Sequence, residues 1–141
     1  MSPGLGTRGS VKASEAVKYL VKEGVPIGRI TMSSDGNGNL PVFDERGNLV
    51  KLDIARPQTL YREFVDLVLL EGLSLEDAVR VISTNVADHL KLRSKGRIAP
   101  GKDADLVVLE KGSLRIAYVV ARGKVFVERG KLVRRGAFEE T

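Results

Sequence analysis

A single carboxylate followed by a glycine-rich polar loop is the feature of this sequence best suited to chemistry. Asp35 comes shortly after segment 29–32, which has the composition of a brief buried strand. Four small polar residues follow it: Gly36, Asn37, Gly38 and Asn39. A carboxylate at the C-terminal end of a barrel strand faces the rim where substrates bind, and glycines let backbone groups approach a ligand closely. Aspartate before glycine is more often a turn residue than a catalyst, so spacing alone leaves both interpretations open.

Two other motifs match ligand-binding patterns only in part. Segment 4–9 has the glycine spacing of a dinucleotide fingerprint, but no strand stands before it in this sequence, and we do not expect it to bind a nucleotide. A calcium-loop pattern starts at Asp35. It has Leu40 where that loop needs glycine and Arg46 where it needs glutamate, so a calcium site is not predicted.

The scarcity of metal-binding residue types limits what the chain can do by itself. It has one histidine, His89, and no cysteine, so it cannot alone build a zinc site of the usual ligands, an iron-sulfur site or a cysteine nucleophile. His89 is predicted on a short helix, where a lone histidine is usually a packed or surface residue. Asp103 and Asp105 lie beside a turn and are interpreted as groups that cap the turn and the strand edge.

The net charge of +5 raises the question of nucleic-acid binding. The best basic cluster lies on the C-terminal strands: Arg122, Lys124, Arg129, Lys131, Arg134 and Arg135. Strand alternation spreads these charges over two faces, and few aromatic side chains accompany them. Nucleic-acid binding is therefore a minority hypothesis.

The order of predicted elements is typical of an α/β chain that ends in a β-rich part. These elements are a helix capped by Ser14, a strand at 29–32, a hairpin over 42–54, helices over 59–70, from Ser74 and over 85–90, and strands over 105–109, 115–121, 124–128 and 131–134. Helix, strand and polar loop in succession are the repeating unit of an α/β barrel. Segment 105–109 is nearly all apolar, as if both faces of the strand were covered.

The size and composition point to one globular domain or part of a larger one. The chain has 141 residues, of which 43% are hydrophobic and 29% charged. No apolar run reaches the roughly 18–20 residues of a membrane span, and no signal-peptide pattern is seen. A cytoplasmic location is expected.

Three stretches together resemble the C-terminal part of the amidohydrolase superfamily. Segment 74–87 (Ser-Leu-Glu-Asp-Ala-Val through Ser-Thr-Asn-Val-Ala) is similar to the helix pair that follows the barrel, and segment 96–108 (Gly-Arg-Ile-Ala-Pro-Gly-Lys-Asp-Ala-Asp-Leu-Val-Val) to the start of the small β-sandwich domain. Segments 30–38 and 41–44 narrow the resemblance to the isoaspartyl (β-aspartyl) dipeptidase family. The resemblance runs from about Ser14 to the end.

The resemblance implies a fold and a division of the chain. The fold is α/β: the closing βα unit of a (β/α)8 barrel, followed by helices and the C-terminal strands of a small β-sandwich domain. Residues 1–13 would be a flexible lead-in, 14–92 the end of the barrel, and 93–141 the β-rich part of the sandwich. A whole barrel needs on the order of 200–250 residues, so the chain would hold only its end.

The resemblance also implies hydrolysis of β-aspartyl dipeptides at a binuclear zinc centre. Asp35 would ligate one zinc and move a proton from the attacking hydroxide to the leaving amine. Gly36, Asn37, Gly38 and Asn39 would help to hold the dipeptide. The family pattern has a carboxylate-binding serine where this chain has Asn39, whose amide can still donate a hydrogen bond. The family's other metal ligands, histidines and a carboxylated lysine, would precede residue 1, so zinc is not expected to bind this chain alone.

The expected partners follow from this incompleteness. They are an isoaspartyl dipeptide substrate and either a complementary N-terminal barrel chain or a second copy of this chain. No membrane partner is expected, and nucleic acid is an unlikely one. The alternative is a non-catalytic remnant or oligomerisation module, whose exposed strand faces pair with each other or with a partner.

Overall fold

The computed structural model describes residues 11–136, so the glycine motif at 4–9 lies outside the described residues. The chain is mixed α/β and divides into two compact units, one up to Val86 and one from Ala87 onward. The division falls within a short helix, and each unit is described separately below.

Three helices form the centre of the first unit. They are α1 (Ala13–Lys22), α2 (Gln58–Leu69) and α3 (Leu75–Ile82). Their apolar faces pack around side chains that are at most 4% exposed: Val17, Phe64, Leu67, Ala78 and Val81. As predicted, Ser74 caps α3, and its Oγ accepts a hydrogen bond from the Asp77 backbone N–H at 3.1 Å. A short α4 (Thr84–His89) follows directly.

The start of α1 differs from its predicted form. Lys12, not Ser14, occupies the capping position, and no side chain of α1 caps it. Glu63 of α2 does so instead, because its buried carboxylate accepts a hydrogen bond from the Ser14 backbone N–H at 2.8 Å. Lys12 forms an ion pair with Asp66, one turn further along α2. The predicted Ser14 cap is therefore wrong: the free amide at the helix start is satisfied by a carboxylate from another helix.

The predicted strand at 29–32 is also wrong in detail. Ile27–Arg29 form a single 3-10 turn, Ile30 has extended backbone angles, and residues 30–34 belong to no helix or strand. Ile30 and Met32 are buried on alternate positions, as a strand would bury them. Within the described part of the chain, this segment's one backbone hydrogen bond to a residue distant in sequence is from the Met32 N–H to the Val81 carbonyl, at 3.1 Å. A ladder needs a neighbouring strand, and residues 11–136 place none beside it.

The predicted hairpin is confirmed. Strands β1 (Asn39–Phe43) and β2 (Leu49–Ile54) pair antiparallel and are joined by a turn in which Asp44 accepts hydrogen bonds from the Arg46 and Asn48 N–H groups. Four apolar side chains of the second strand are 56–63% exposed: Leu49, Val50, Leu52 and Ile54. The first unit therefore carries an apolar hairpin that its own residues do not cover.

The second unit is a four-stranded antiparallel meander. Its strands are β3 (Leu106–Leu109), β4 (Ile116–Ala121), β5 (Lys124–Glu128) and β6 (Lys131–Leu132), in that spatial order. Both predicted two-residue turns are present, with left-handed backbones at Arg122 and Gly123 and at Arg129 and Gly130.

The expectation that the apolar strand at 105–109 is covered on both faces is not met within the second unit. Strand β3 lies at one edge of the meander, and its Val107 and Val108 side chains are 57% and 49% exposed. None of the helices formed by residues 11–136 is long and apolar enough to cross a membrane.

Candidate functional site

The predicted site residues lie on one tight turn in the first unit. The Gly38 N–H donates to the Asp35 carbonyl at 2.8 Å, which closes the turn over Gly36 and Asn37. Asp35 and Asn37 both have left-handed backbones, with φ of 49° and 66°. Aspartate and asparagine tolerate this conformation better than other non-glycine residues, so their positions in the turn have a physical reason.

The turn is continuous with the hairpin. The Asn37 N–H donates to the Ala55 carbonyl and the Ala55 N–H donates to the Gly38 carbonyl, both at 2.9 Å. These bonds extend the ladder in which Asn39 is paired with Ile54. Ala55 is only 3% exposed. The turn is thus held between a buried residue and the first strand pair.

The segment that leads into the turn is anchored by a residue that the sequence reasoning did not select. Asn85 is 3% exposed, and its Nδ2 donates to the carbonyls of Ile27 at 2.7 Å and Ile30 at 2.8 Å. The Met32 bond to Val81 adds a second anchor. An amide directly before the apolar pair Val86 and Ala87 is the only signal in the sequence, because an amide that becomes buried must find partners.

The Asp35 carboxylate is exposed and available. Among residues 11–136, no hydrogen-bond donor or cation engages this side chain. It lies over Gly38, and a Cβ built on that glycine would stand 2.5 Å from Oδ2 and 2.7 Å from Cγ. The carboxylate therefore occupies the space that any side chain at position 38 would take.

The remaining loop positions are also open to solvent or close to it. Asn39 is exposed at the start of β1, while Gly36 is exposed with Ser34 Oγ and Pro57 Cγ nearby. A Cβ on Gly36 would stand 3.1 Å and 3.3 Å from those atoms. A larger residue at position 36 would therefore press against Ser34 and Pro57.

Asp103 and Asp105, the two carboxylates beside the predicted turn, make contacts within the second unit. Lys95 forms ion pairs with Asp103, at 2.8 Å, and with Asp105, and these three side chains are called the lysine-centred cluster below. Hydrogen bonds from Lys95 are the main reason that the pKa values of both carboxyls lie below their usual range. Asp105 Oδ1 also accepts from the Arg122 N–H at 2.7 Å, which confirms its interpretation as a turn and edge group.

The residues present do not by themselves fit a zinc centre. In the described part of the chain, no three histidine, cysteine, aspartate or glutamate side chains come together as metal ligands. A zinc centre takes at least three protein ligands. Asp35 could offer one carboxylate ligand to a metal held mainly by other residues, and His89, at the end of α4, is not part of such a group.

Comparison with known proteins finds one matching protein family and several similar proteins. The model of the amidohydrolase family matches residues 9–126. An adenine deaminase from Kosmotoga olearia is 42% identical over 131 residues, which cover 86% of this chain and 22% of that protein. An allantoinase from Salmonella newport is 48% identical over 50 residues, which cover 36% of this chain and 11% of that protein.

Solved structures give a similar result. A β-aspartyl dipeptidase from Fervidobacterium islandicum AW-1, solved in complex with a β-Asp-Leu dipeptide, superposes with a TM-score of 0.76 at 32% identity. The match covers 89% of this chain and 33% of the dipeptidase. The chain thus spans about a fifth of the length of the adenine deaminase and about a third of the length of the dipeptidase.

Proposed function

This chain belongs to the amidohydrolase family, and we propose that it is the C-terminal portion of a metal-dependent hydrolase that cleaves β-aspartyl dipeptides once an N-terminal portion completes it. The observation that carries the proposal is the Asp35 turn: an unengaged, exposed carboxylate at the end of an anchored extended segment. The likeness to a dipeptidase that binds β-Asp-Leu favours this substrate class.

In this proposal Asp35 is the reacting carboxylate. It accepts a proton from the attacking water and returns it to the nitrogen of the scissile amide, so that the amine leaves uncharged and the carboxyl product forms. The carboxylate is suited to this because nothing among the described residues neutralises or blocks it. Zinc held mainly by the N-terminal portion would polarise the amide carbonyl and acidify the water, with Asp35 as one ligand.

The loop after Asp35 would orient the dipeptide. Gly36 and Gly38 would offer backbone groups to the substrate, and Asn37 and Asn39 carry amides that can donate hydrogen bonds to a carboxylate. Asn39 stands at the first position of β1, directly after the turn. We assign these four residues to substrate binding.

We further propose that residues 14–92 close a barrel and that 93–141 form the β-rich part of a sandwich, after a lead-in at 1–13. The exposed apolar side chains of the hairpin and of β3 support this assignment. Isolated apolar strand faces are covered in stable proteins. The missing cover would come from the N-terminal portion, which also supplies the other metal ligands.

The direct test is a chimeric protein. The N-terminal two thirds of the Fervidobacterium islandicum dipeptidase is joined to this chain in place of its own C-terminal third, and the purified chimera is assayed for β-Asp-Leu hydrolysis and zinc content. The expected result is zinc-dependent release of leucine. The matched variant Asp35→Asn keeps size and shape but cannot hold a proton in the same way, and should lose at least about 100-fold in kcat.

Two outcomes would contradict the proposal. One is a folded, zinc-containing chimera without hydrolysis, and the other is an active chimera in which Asp35→Asn has no effect. The identities to an adenine deaminase and an allantoinase favour a second candidate function, in which water attacks a ring amidine or a cyclic amide at the same site. Adenine and allantoin are therefore assayed beside β-Asp-Leu. A folded oligomer of this chain, together with a folded but inactive chimera, would instead favour the non-catalytic module.

A further inference from the structure

We propose that Gly38 is a positioning residue, which holds open the space that the Asp35 carboxylate occupies and so sets the direction in which that carboxylate points. This inference assigns Gly38 a role other than contact with substrate. Its catalytic consequence rests on the proposed function, whereas its effect on the Asp35 side chain does not.

The first step is the lack of room at position 38. A Cβ there would stand 2.5 Å from Asp35 Oδ2, 2.7 Å from Cγ and 2.8 Å from Oδ1. Real Cβ atoms essentially never come within 3.0 Å of such a neighbour. All three atoms of the carboxylate are too close, so a rotation of the carboxylate about its own axis would not relieve the contact.

The second step is that the backbone does not require glycine here. Gly38 is absent from the glycines with positive φ, whereas the left-handed positions of the turn are held by Asp35 and Asn37. The Gly38 N–H and carbonyl bond to Asp35 and Ala55, and an alanine could make both bonds. The steric demand of the carboxylate is therefore the reason for glycine that the structure offers.

The third step identifies the group that moves when a methyl group is added at position 38. The backbone of Gly38 is held on both sides by hydrogen bonds, and Ala55 beside it is buried. The Asp35 carboxylate is exposed and turns about two side-chain bonds. An added methyl group should leave the turn in place and swing the carboxylate away.

The consequence for catalysis follows from the distance involved. The carboxylate must move by at least the difference between 2.5 Å and 3.0 Å, and by more if it changes rotamer. A misplacement of about 1 Å at a reacting group can cost on the order of 100-fold in rate. Gly38→Ala in the chimera should lower kcat by about that factor, with KM for β-Asp-Leu changed by less than about threefold.

The matched control is Gly28→Ala. Gly28 lies in the 3-10 turn of the same unit, its φ is not in the left-handed range, and its added Cβ would stand 3.8 Å from Arg80 Nη2, an ordinary contact. It receives the same methyl group without meeting a carboxylate. Its kcat and thermal midpoint should match those of the parent chimera.

The readout that does not depend on activity is the rotamer of Asp35 in the full chain. Three-bond couplings from the Asp35 Cγ to its backbone N and carbonyl carbon report the first side-chain torsion in solution. Gly38→Ala should change these couplings while the thermal midpoint stays close to that of the wild type, and Gly28→Ala should change neither.

The outcomes separate the two proposals. Unchanged Asp35 couplings in Gly38→Ala would overturn the positioning role, whatever the activity. Changed couplings in a parent chimera that is folded and zinc-loaded but hydrolyses none of the substrates would support the positioning role and overturn the proposed function. Changed couplings with a loss in kcat of about 100-fold would support both.

Discussion

Removing the Asn85 side chain should destabilise the first unit more than its small size suggests. In Asn85→Ala, two carbonyls lose their side-chain donor: Ile30, in a buried bond, and Ile27, in a partly buried one. Leaving a buried acceptor unsatisfied costs about 1–3 kcal/mol, and an ordinary hydrogen bond contributes about 1 kcal/mol. The free energy of unfolding should therefore fall by about 2–4 kcal/mol.

The assay is urea unfolding followed by circular dichroism at a helical wavelength, because α1, α2 and α3 all lie in the first unit. With a denaturant slope of about 2 kcal/mol per molar urea, the midpoint should fall by about 1–2 M. The control is Asn48→Ala. That amide also donates a hydrogen bond, to Asp44 Oδ2 at 3.0 Å, but is exposed, so its loss should cost under about 1 kcal/mol.

The comparison of the two variants tests whether burial increases the energetic contribution of these hydrogen bonds. Equal losses of stability in Asn85→Ala and Asn48→Ala would refute the reasoning, because burial of the bonded carbonyls would then have no energetic effect. A change in slope instead of midpoint would show that the variant alters the unfolded state or the cooperativity of unfolding.

Three further predictions test other contacts. Glu63→Ala should lower the free energy of unfolding by about 1–3 kcal/mol, because it removes the cap of α1. Glu63→Gln should lower that free energy by less. Thermal melts of Glu63→Ala that match the wild type would contradict this. The lowered pKa values of Asp103 and Asp105 mean that the unfolded chain binds more protons, so the stability from the lysine-centred cluster is present above about pH 3.8 and is lost as pH falls further. The double variant Asp103→Asn with Asp105→Asn should show a weaker loss of melting temperature on acidification, and an unchanged acid profile would argue against the cluster. Gly123→Ala should cost about 1–2 kcal/mol in urea unfolding because its φ is 73° with open space around it, and a cost no larger than that of Gly28→Ala would exclude backbone strain as the cause.

The elements that the sequence predicts well are those fixed by nearby residues. The turns at Arg122-Gly123 and Arg129-Gly130 and the Ser74 cap depend on residues at most three positions apart. The hairpin over 39–54 depends on the Asp44 turn between its strands. Local backbone preferences are visible in the letters of such segments, so their positions follow without knowledge of the fold.

The features that were missed depend on partners far away in the sequence. Glu63 caps α1 through the N–H of Ser14, 49 residues before it, and Asn85 bonds to carbonyls 55 and 58 residues before it. The segment at Ile30 has the alternation of a strand, yet pairing depends on a neighbour that residues 11–136 do not supply. Periodicity reports which side chains are buried, whereas it does not report what lies beside the backbone.

The position of the Asp35 carboxylate is set by contacts within the first unit alone. Its chain enters from a segment anchored by Asn85, its turn is bonded to Ala55, and its side chain rests in the space left by Gly38. These contacts fix the backbone of Asp35 and leave room for its carboxylate beside position 38. Substitution of Asn85 should therefore mainly lower stability, whereas Gly38→Ala should mainly change the direction of the Asp35 carboxylate. Both substitutions act on the position of Asp35.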